Sequence, residues 1–142
     1  MAKATILIVE DSPDIAQPLA DAFRFADFAV LQASGAVQGL QLAAEEHPQL
    51  IIMDIQLPDL DGLSAAQTLK ADPATQAIPI VAMTAYDITA DQARVLGRTC
   101  IGHYQKPVRP RDMVNLATAL LKLKTDPPTP QKRPQPPRPT GR

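Results

Sequence analysis

The stretch Leu50-Ile51-Ile52-Met53-Asp54-Ile55-Gln56-Leu57-Pro58-Asp59-Leu60-Asp61-Gly62 joins a continuously apolar run to a polar loop that ends in glycine. A short run with no polar position is typical of a strand that is covered on both faces, as in a parallel sheet. The sequence therefore places a carboxylate, Asp54, at the carboxyl end of a buried strand.

The same kind of run recurs on either side of this stretch and alternates with segments of helical period. Strands are predicted at residues 5–9, 29–33, 50–53, 80–83 and 100–104, of which the second and fifth are the weakest and suit edge positions. The helical faces are marked by Val37, Leu40 and Ala44, by Leu63, Ala66, Leu69 and Lys70, and by Met113, Leu116, Leu120 and Leu123, with a further helix at 88–97. This alternation predicts an α/β fold with five βα units and a doubly wound, five-stranded parallel sheet.

The first helix, expected over residues 14–26, contains Pro18. Inside a helix, proline removes one hydrogen bond and clashes with the carbonyl four residues back, at a cost of about 3 kcal/mol. We therefore expect this helix to begin late, near Gln17, or to be kinked.

Composition limits the classes of protein to which this chain can belong. The formal net charge is −1, and the last 18 residues carry +3, so residues 1–124 carry −4, which argues against a direct nucleic-acid partner. Cys100 is the only cysteine, which excludes an intramolecular disulfide. Since we find no signal-peptide pattern and no apolar run near the ~20 residues that span a bilayer, we expect a cytoplasmic protein without membrane contact.

The last 18 residues differ sharply from the rest. Residues 125–142 hold seven of the 15 prolines and, apart from these, no aliphatic or aromatic side chain. This composition predicts a basic, disordered, polyproline-leaning tail after one folded domain of residues 1–124. The tail could contact an acidic surface or a polyproline-binding groove, and the simpler alternative is a solvated extension without function.

Polar residues follow four of the predicted strands. They are Glu10-Asp11, Asp54, Thr84 and, two residues after the fifth strand, Lys106-Pro107. Ligands of open parallel sheets bind outside the carboxyl ends of the strands, so these side chains are expected to converge. Three carboxylates at close range repel one another unless a cation lies among them, and their oxygen atoms suit Mg²⁺.

Each of these residues also has a simpler interpretation. Asp11 could cap a helix, Asp54 could cap a short turn, Thr84 could be a β-branched strand end, and Lys106 could be solvated. Four strand ends in chain order favour a shared site over four unrelated caps.

The motifs together resemble a known family. Leu7 to Asp11, Ile52 to Gly62, Ala82-Met83-Thr84-Ala85 and Lys106-Pro107 are similar to the signature of response regulator receiver domains, over residues 4–124. The resemblance implies a flavodoxin-like fold with strand order 2-1-3-4-5. It also implies a single-domain signalling protein of a bacterial two-component system.

The resemblance also implies roles for individual residues. Asp54 would accept the phosphoryl group, and Mg²⁺ would be held by Glu10, Asp11, Asp54 and the backbone carbonyl of Gln56. Thr84 would bind a phosphoryl oxygen, and Lys106 would pair with the phosphoryl group beside a cis peptide to Pro107. Gln56 and Tyr86 would tune hydrolysis of the acyl phosphate.

The expected partners follow from the same resemblance. The phosphodonor would be a histidine kinase or a histidine phosphotransfer protein. The output would pass through the face formed by helix 4, strand 5 and helix 5, or by onward transfer, from a monomer or weak dimer. No enzymatic activity is expected beyond self-phosphorylation and slow autodephosphorylation.

One position departs from the family pattern. Three residues before Lys106, where the family usually has an aromatic switch residue, this chain has His103, with Tyr104 beside it. Successive strand residues face opposite sides, so Tyr104 replaces His103 only if the register changes. We take His103 as a smaller switch residue that could sense pH, and the alternative is a polar residue tolerated at a strand edge.

Two rival functions stay open. A pseudo-receiver that binds partners without phosphorylation usually lacks an acidic-pocket residue, and none is missing here. A phosphohydrolase of the haloacid-dehalogenase type has a second aspartate two residues after its nucleophile, where this chain has Gln56.

Overall fold

The computed structural model describes residues 3–85 and 87–121. Strands and helices alternate along this part of the chain: β1 (Thr5–Val9), α1 (Pro13–Phe25), β2 (Ala29–Ala33), α2 (Ala36–Glu46), β3 (Leu50–Asp54), α3 (Gly62–Ala71), β4 (Ile80–Thr84), α4 (Ala90–Thr99), β5 (Gly102–Gln105) and α5 (Pro110–Leu120).

The five strands form one parallel sheet in the order β2-β1-β3-β4-β5. The predicted fold class and strand order are therefore confirmed, and β2 and β5 lie at the edges as expected. Because all strands run the same way, their carboxyl ends meet at one edge of the sheet.

Alternate residues of β1 enter two different hydrophobic cores. Ile6 and Ile8 pack on the side of α1 and α5, whereas Leu7 and Val9 pack on the side of α2 and α3. Period-two alternation puts successive side chains on opposite faces, so covering both faces requires an apolar residue at every position. This is the physical reason for the continuously apolar strands of the sequence.

The expected late start of α1 is wrong, because the helix begins at Pro13 and runs through Pro18. Pro13 lies at the helix start, where its missing N–H would have no partner in any case. Leu19 and Phe23 are at most 1% exposed, and burial of each is worth roughly 2 kcal/mol. Together these side chains offset the cost of about 3 kcal/mol at Pro18.

The face predicted for α2 is right at Leu40, which packs against the core, and wrong at Val37 and Ala44. Val37 is 59% exposed and Ala44 is exposed, whereas Ala36, Gly39 and Ala43 are buried. A Cβ atom on Gly39 would lie 2.8 Å from Val9 Cγ2. The helix therefore packs close to the sheet through small residues, which a search for large apolar side chains overlooks.

The boundaries of α4 and β5 shift by about two residues from the prediction. Thr89 Oγ1 accepts a hydrogen bond from the Gln92 N–H at 3.1 Å, and Gln92 Oε1 accepts one from the Thr89 N–H at 2.8 Å. This capping box starts α4 at Ala90. Cys100 caps the other end of α4, so β5 begins only at Gly102.

The fifth helix follows the predicted pattern in part. Met113 and Ala117 are buried, while Leu120 is 38% exposed. Leu123, the predicted domain boundary after Lys124 and the tail at 125–142 lie outside the described residues. Across the described ranges, we find no helix of the length and apolar character that a bilayer crossing requires.

Candidate functional site

Three carboxylates meet at the carboxyl edge of the sheet. Glu10 and Asp11 follow β1, Asp54 ends β3, and one oxygen atom of each lies within 4.8 Å of the others. Glu10 is 4% and Asp54 2% exposed, whereas Asp11 is exposed. The cap of α1 is Ser12 rather than Asp11. The convergence predicted from the strand ends is thus present.

Lys106 reaches this cluster from the segment after β5. Its Nζ lies 2.8 Å from Glu10 Oε1 and 3.0 Å from Asp54 Oδ2, and its side chain is only 14% exposed, so it is not solvated. Burial alone would lower the pKa of Lys106, but its bonds to Glu10 and Asp54 outweigh burial and raise that pKa above its usual value. The peptide bond between Lys106 and Pro107 is cis.

The two carboxylate oxygens of Glu10 have different partners. Its Oε2 accepts a hydrogen bond from the Ser12 N–H at 3.0 Å. Its Oε1 is buried and pairs with the Lys106 ammonium at 2.8 Å. Burial raises the pKa of Glu10, and the negative charge of Asp54 adds to this rise.

These observations fit a hard divalent cation. Three carboxylates face one ammonium group, so the cluster carries excess negative charge. All the available donor atoms are oxygen atoms, which are the ligands that Mg²⁺ prefers.

The side chain of Gln56 faces the loop after β4. Its backbone N–H donates to Asp54 Oδ1 at 2.9 Å, so Asp54 also forms the short turn suggested by its sequence. Its side-chain Oε1 accepts a hydrogen bond from the Ala85 N–H at 2.9 Å. Tyr86, the second residue predicted to tune hydrolysis, lies outside the described residues.

Gly62 packs directly against the backbone that carries Asp54. Its N–H donates to the Ile55 carbonyl at 3.1 Å. A Cβ atom at Gly62 would lie 2.4 Å from Ile55 Cα and 2.7 Å from the Asp54 carbonyl oxygen. Only glycine therefore fits at position 62 without a shift of the backbone that carries Asp54.

The strand register determines which β5 residue shares a face with Thr84. Ala82 pairs with His103, and Met83 pairs with Tyr104. Since residues two apart on a strand share a face, His103 lies on the face of Thr84 and Tyr104 on the opposite one. His103 is exposed and Tyr104 is 39% exposed, whereas Thr84 is 2% exposed.

Asp59 is a residue of this region that the sequence analysis missed as a contributor to the site. It lines, with Asp11 and Gln56, an open cavity of about 640 Å³ beside the carboxylates. Both of its carboxylate oxygens accept hydrogen bonds from the first turn of α2. Its partners lie 22 and 23 residues away in the chain, so no local sequence signal indicates the contact.

A parallel α/β sheet with carboxylates, a threonine and a lysine at its carboxyl edge defines a response regulator receiver domain, and the chain belongs to that family. The family model described as "Response regulator receiver domain" matches residues 6–118. The polar-differentiation response regulator DivK of Brucella ovis is 33% identical over 104 residues, which are 73% of this chain and 85% of that protein.

Solved structures agree on the fold. The receiver domain of the sensor histidine kinase PA1611 from Pseudomonas aeruginosa, with magnesium coordinated in its active site cleft, aligns with a TM-score of 0.76 and 26% identity, covering 85% of this chain and 99% of that one. A CheY-like receiver domain protein from Methanospirillum hungatei has a TM-score of 0.78 at 24% identity, covering 86% and 95% of the two chains.

Proposed function

We propose that this receiver domain accepts a phosphoryl group on Asp54 from the phosphohistidine of a histidine kinase or histidine phosphotransfer protein. The observation that carries the proposal is the placement of Asp54. Its carboxylate is 2% exposed, lies 3.0 Å from the Lys106 ammonium and shares a 4.8 Å cluster with Glu10 and Asp11.

In the transfer, an Asp54 oxygen forms a bond to phosphorus while the bond from phosphorus to the donor histidine nitrogen breaks. The nitrogen keeps the electron pair of that bond. The attacking carboxylate must approach three partly anionic oxygens, so positioning and charge neutralisation supply most of the catalysis. Lys106 neutralises one of these charges, and the Thr84 hydroxyl donates a hydrogen bond to a phosphoryl oxygen.

Glu10, Asp11, Asp54 and the backbone carbonyl of Gln56 are the groups that would hold Mg²⁺, and the bound ion would neutralise further charge on the phosphoryl oxygens. The excess negative charge of three carboxylates beside one ammonium group supports this assignment. The magnesium ion in the active site cleft of the PA1611 receiver domain, a relative of the same fold, supports it as well.

We further propose that the output passes through the face of α4, β5 and α5, by docking of a partner protein or by onward phosphoryl transfer. His103 shares the sheet face of Thr84, which makes it the switch residue in this proposal. Ile101 and Tyr104 are 52% and 39% exposed beside it and offer apolar area to a partner. Phosphorylation changes the populations of the two conformational states of this face only to the extent that it stabilises one state more than the other.

The proposed chemistry is limited to phosphorylation of the chain itself and slow hydrolysis of the acyl phosphate. Gln56, which stands where a phosphohydrolase would have its acid, is an amide that accepts a hydrogen bond from Ala85. Residues 1–124 would form the receiver domain, and residues 125–142 would be an appended basic tail.

Beryllofluoride, which mimics an acyl phosphate, tests this proposal. In the presence of Mg²⁺, the backbone resonances of residues around Asp54, Thr84 and β5 should shift in the wild-type protein. They should stay unchanged in Asp54→Asn, which has the same shape but no carboxylate. Unchanged wild-type spectra would instead indicate a scaffold that binds partners without phosphorylation.

A further inference from the structure

Asp59 caps a helix that is distant from it in the chain. Its Oδ1 accepts a hydrogen bond from the Ala36 N–H at 2.9 Å, and its Oδ2 accepts one from the Val37 N–H at 3.0 Å. The first N–H groups of a helix have no partner within the helix, and the α2 cap residue, Gly35, has no side chain to supply one. Asp59 supplies both acceptors from the loop between β3 and α3.

Gly35 leaves the space that this contact requires. A Cβ atom on Gly35 would lie 3.0 Å from both carboxylate oxygens of Asp59. The Gly35 backbone has φ −149° and ψ 167°, which any residue adopts, so the only obstacle to a larger residue is the carboxylate, which would have to move by a few tenths of an ångström. Hydrogen bonds from the Val37 and Ala36 N–H groups hold the pKa of Asp59 below its usual range.

Helix α2 also packs against β1, the strand that directly precedes Glu10 and Asp11. Gly39 of α2 packs against Val9, since a Cβ at this glycine would lie 2.8 Å from Val9 Cγ2. Val9 directly precedes Glu10 and Asp11. Helix α2 therefore touches the strand that leads into two of the carboxylates, and through Asp59 it holds the loop that carries Gln56.

We propose that Asp59 is a positioning residue for the Mg²⁺ site: it fixes the loop of Gln56, through α2, relative to Glu10 and Asp11. The inference rests on the proposed function only for the identity of the metal. Residues that orient metal ligands typically change metal affinity 10- to 100-fold when they are replaced.

A second explanation must be separated from positioning. Asp59 is an acidic residue beside a cation site, so its charge alone would attract Mg²⁺ through solvent. Such attraction between exposed charges weakens as salt shortens the screening length, from about 10 Å at 0.1 M to about 3 Å at 1 M. Loss of positioning does not depend on salt in this way.

The test is calorimetric titration of the full chain with MgCl₂ alone, without a phosphodonor. Asp59→Ala should weaken Mg²⁺ binding roughly tenfold because it removes the acceptor. Gly35→Ala should weaken it less, because its Cβ only displaces the acceptor by a few tenths of an ångström without a change of charge. Asp59→Asn keeps one acceptor oxygen and should show an intermediate loss. Gly97→Ala is the matched control, since nothing lies within 4 Å of a Cβ at that position.

Each outcome separates the possibilities, with circular dichroism melts confirming that every variant is folded. Wild-type affinity in Asp59→Ala, or a loss in this variant that vanishes at 1 M salt, would overturn the positioning role and leave the proposed function intact. Absence of Mg²⁺ binding by the wild-type protein would overturn both the metal site and the inference.

Discussion

Gln56 Oε1 accepts a hydrogen bond from the backbone N–H of Ala85 at 2.9 Å. Gln56 also bonds Asp54 through its backbone, and Ala85 directly follows Thr84. One side chain therefore links the loop beside the proposed phosphoacceptor to the segment that carries the proposed phosphoryl-binding hydroxyl.

Replacement of Gln56 by alanine should free the Ala85 N–H. The net contribution of such a bond is about 1 kcal/mol, so amide hydrogen exchange at Ala85 should accelerate roughly fivefold. Exchange measured by NMR on the unphosphorylated protein checks this, with the exposed Gln67→Ala on α3 as control. Equal exchange at Ala85 in both variants would show that the bond does not hold the loop in solution.

Replacement of Lys106 by methionine should leave Glu10 and Asp54 buried without their cation. Removing one partner of a buried ion pair typically costs about 3 kcal/mol or more. Urea unfolding at neutral pH without Mg²⁺ measures the loss, and adding Asp54→Asn to the variant should recover part of it.

The exposed Arg98→Met serves as the control for Lys106→Met, because it removes a positive charge that lies away from the carboxylates. If the two substitutions cost the same, Lys106 does not neutralise the buried pair.

Two glycine substitutions should change the stability of the protein in opposite directions. Gly62→Ala forces a Cβ to within 2.4 Å of Ile55 Cα, and such overpacking typically costs about 1–3 kcal/mol. Gly97→Ala meets open space on α4 and should stabilise the protein by roughly 0.5–1 kcal/mol. Thermal unfolding of both variants measures these changes in stability. If Gly62→Ala leaves the stability unchanged, the loop after Asp54 can move away from the added Cβ atom.

The stability contributed by Asp59 should depend on pH. The pKa of its carboxyl is lowered from the usual 3.8 by the Val37 and Ala36 N–H groups. The unfolded state thus binds the proton more tightly, so the contribution is present above pH 3.8 and is lost as the pH falls through the folded-state pKa.

Urea unfolding of the wild type and Asp59→Asn over a range from neutral to acidic pH tests this dependence. The difference in unfolding free energy between the two should stay constant near neutrality and shrink in acid. The exposed Glu45→Gln is the control. A difference that does not vary with pH would show that the carboxylate is not bonded to α2.

The sequence predicted the sheet and the convergence of polar side chains at its edge because both depend on local patterns. Strands covered on two faces must be continuously apolar, and the residues that follow them lie at one edge, so Asp54, Thr84 and Lys106 could be placed together without coordinates. The placement of His103 and Tyr104 on opposite faces of β5 followed as well.

The remaining features depend on packing that no local pattern encodes. The start of α1 at Pro13 reflects the burial of Leu19 and Phe23, which outweighs Pro18. The inner face of α2 consists of small residues such as Gly39. The contact of Asp59 with α2 joins residues 22 and 23 positions apart.

Intact-mass measurement after incubation with Mg²⁺ and acetyl phosphate decides whether Asp54 is the phosphoacceptor. The wild-type chain should gain the mass of one phosphoryl group, which peptide mapping should place on Asp54, and Asp54→Asn should gain none. A wild-type chain that gains no mass, or an Asp54→Asn variant that gains as much as the wild type, would contradict the assignment.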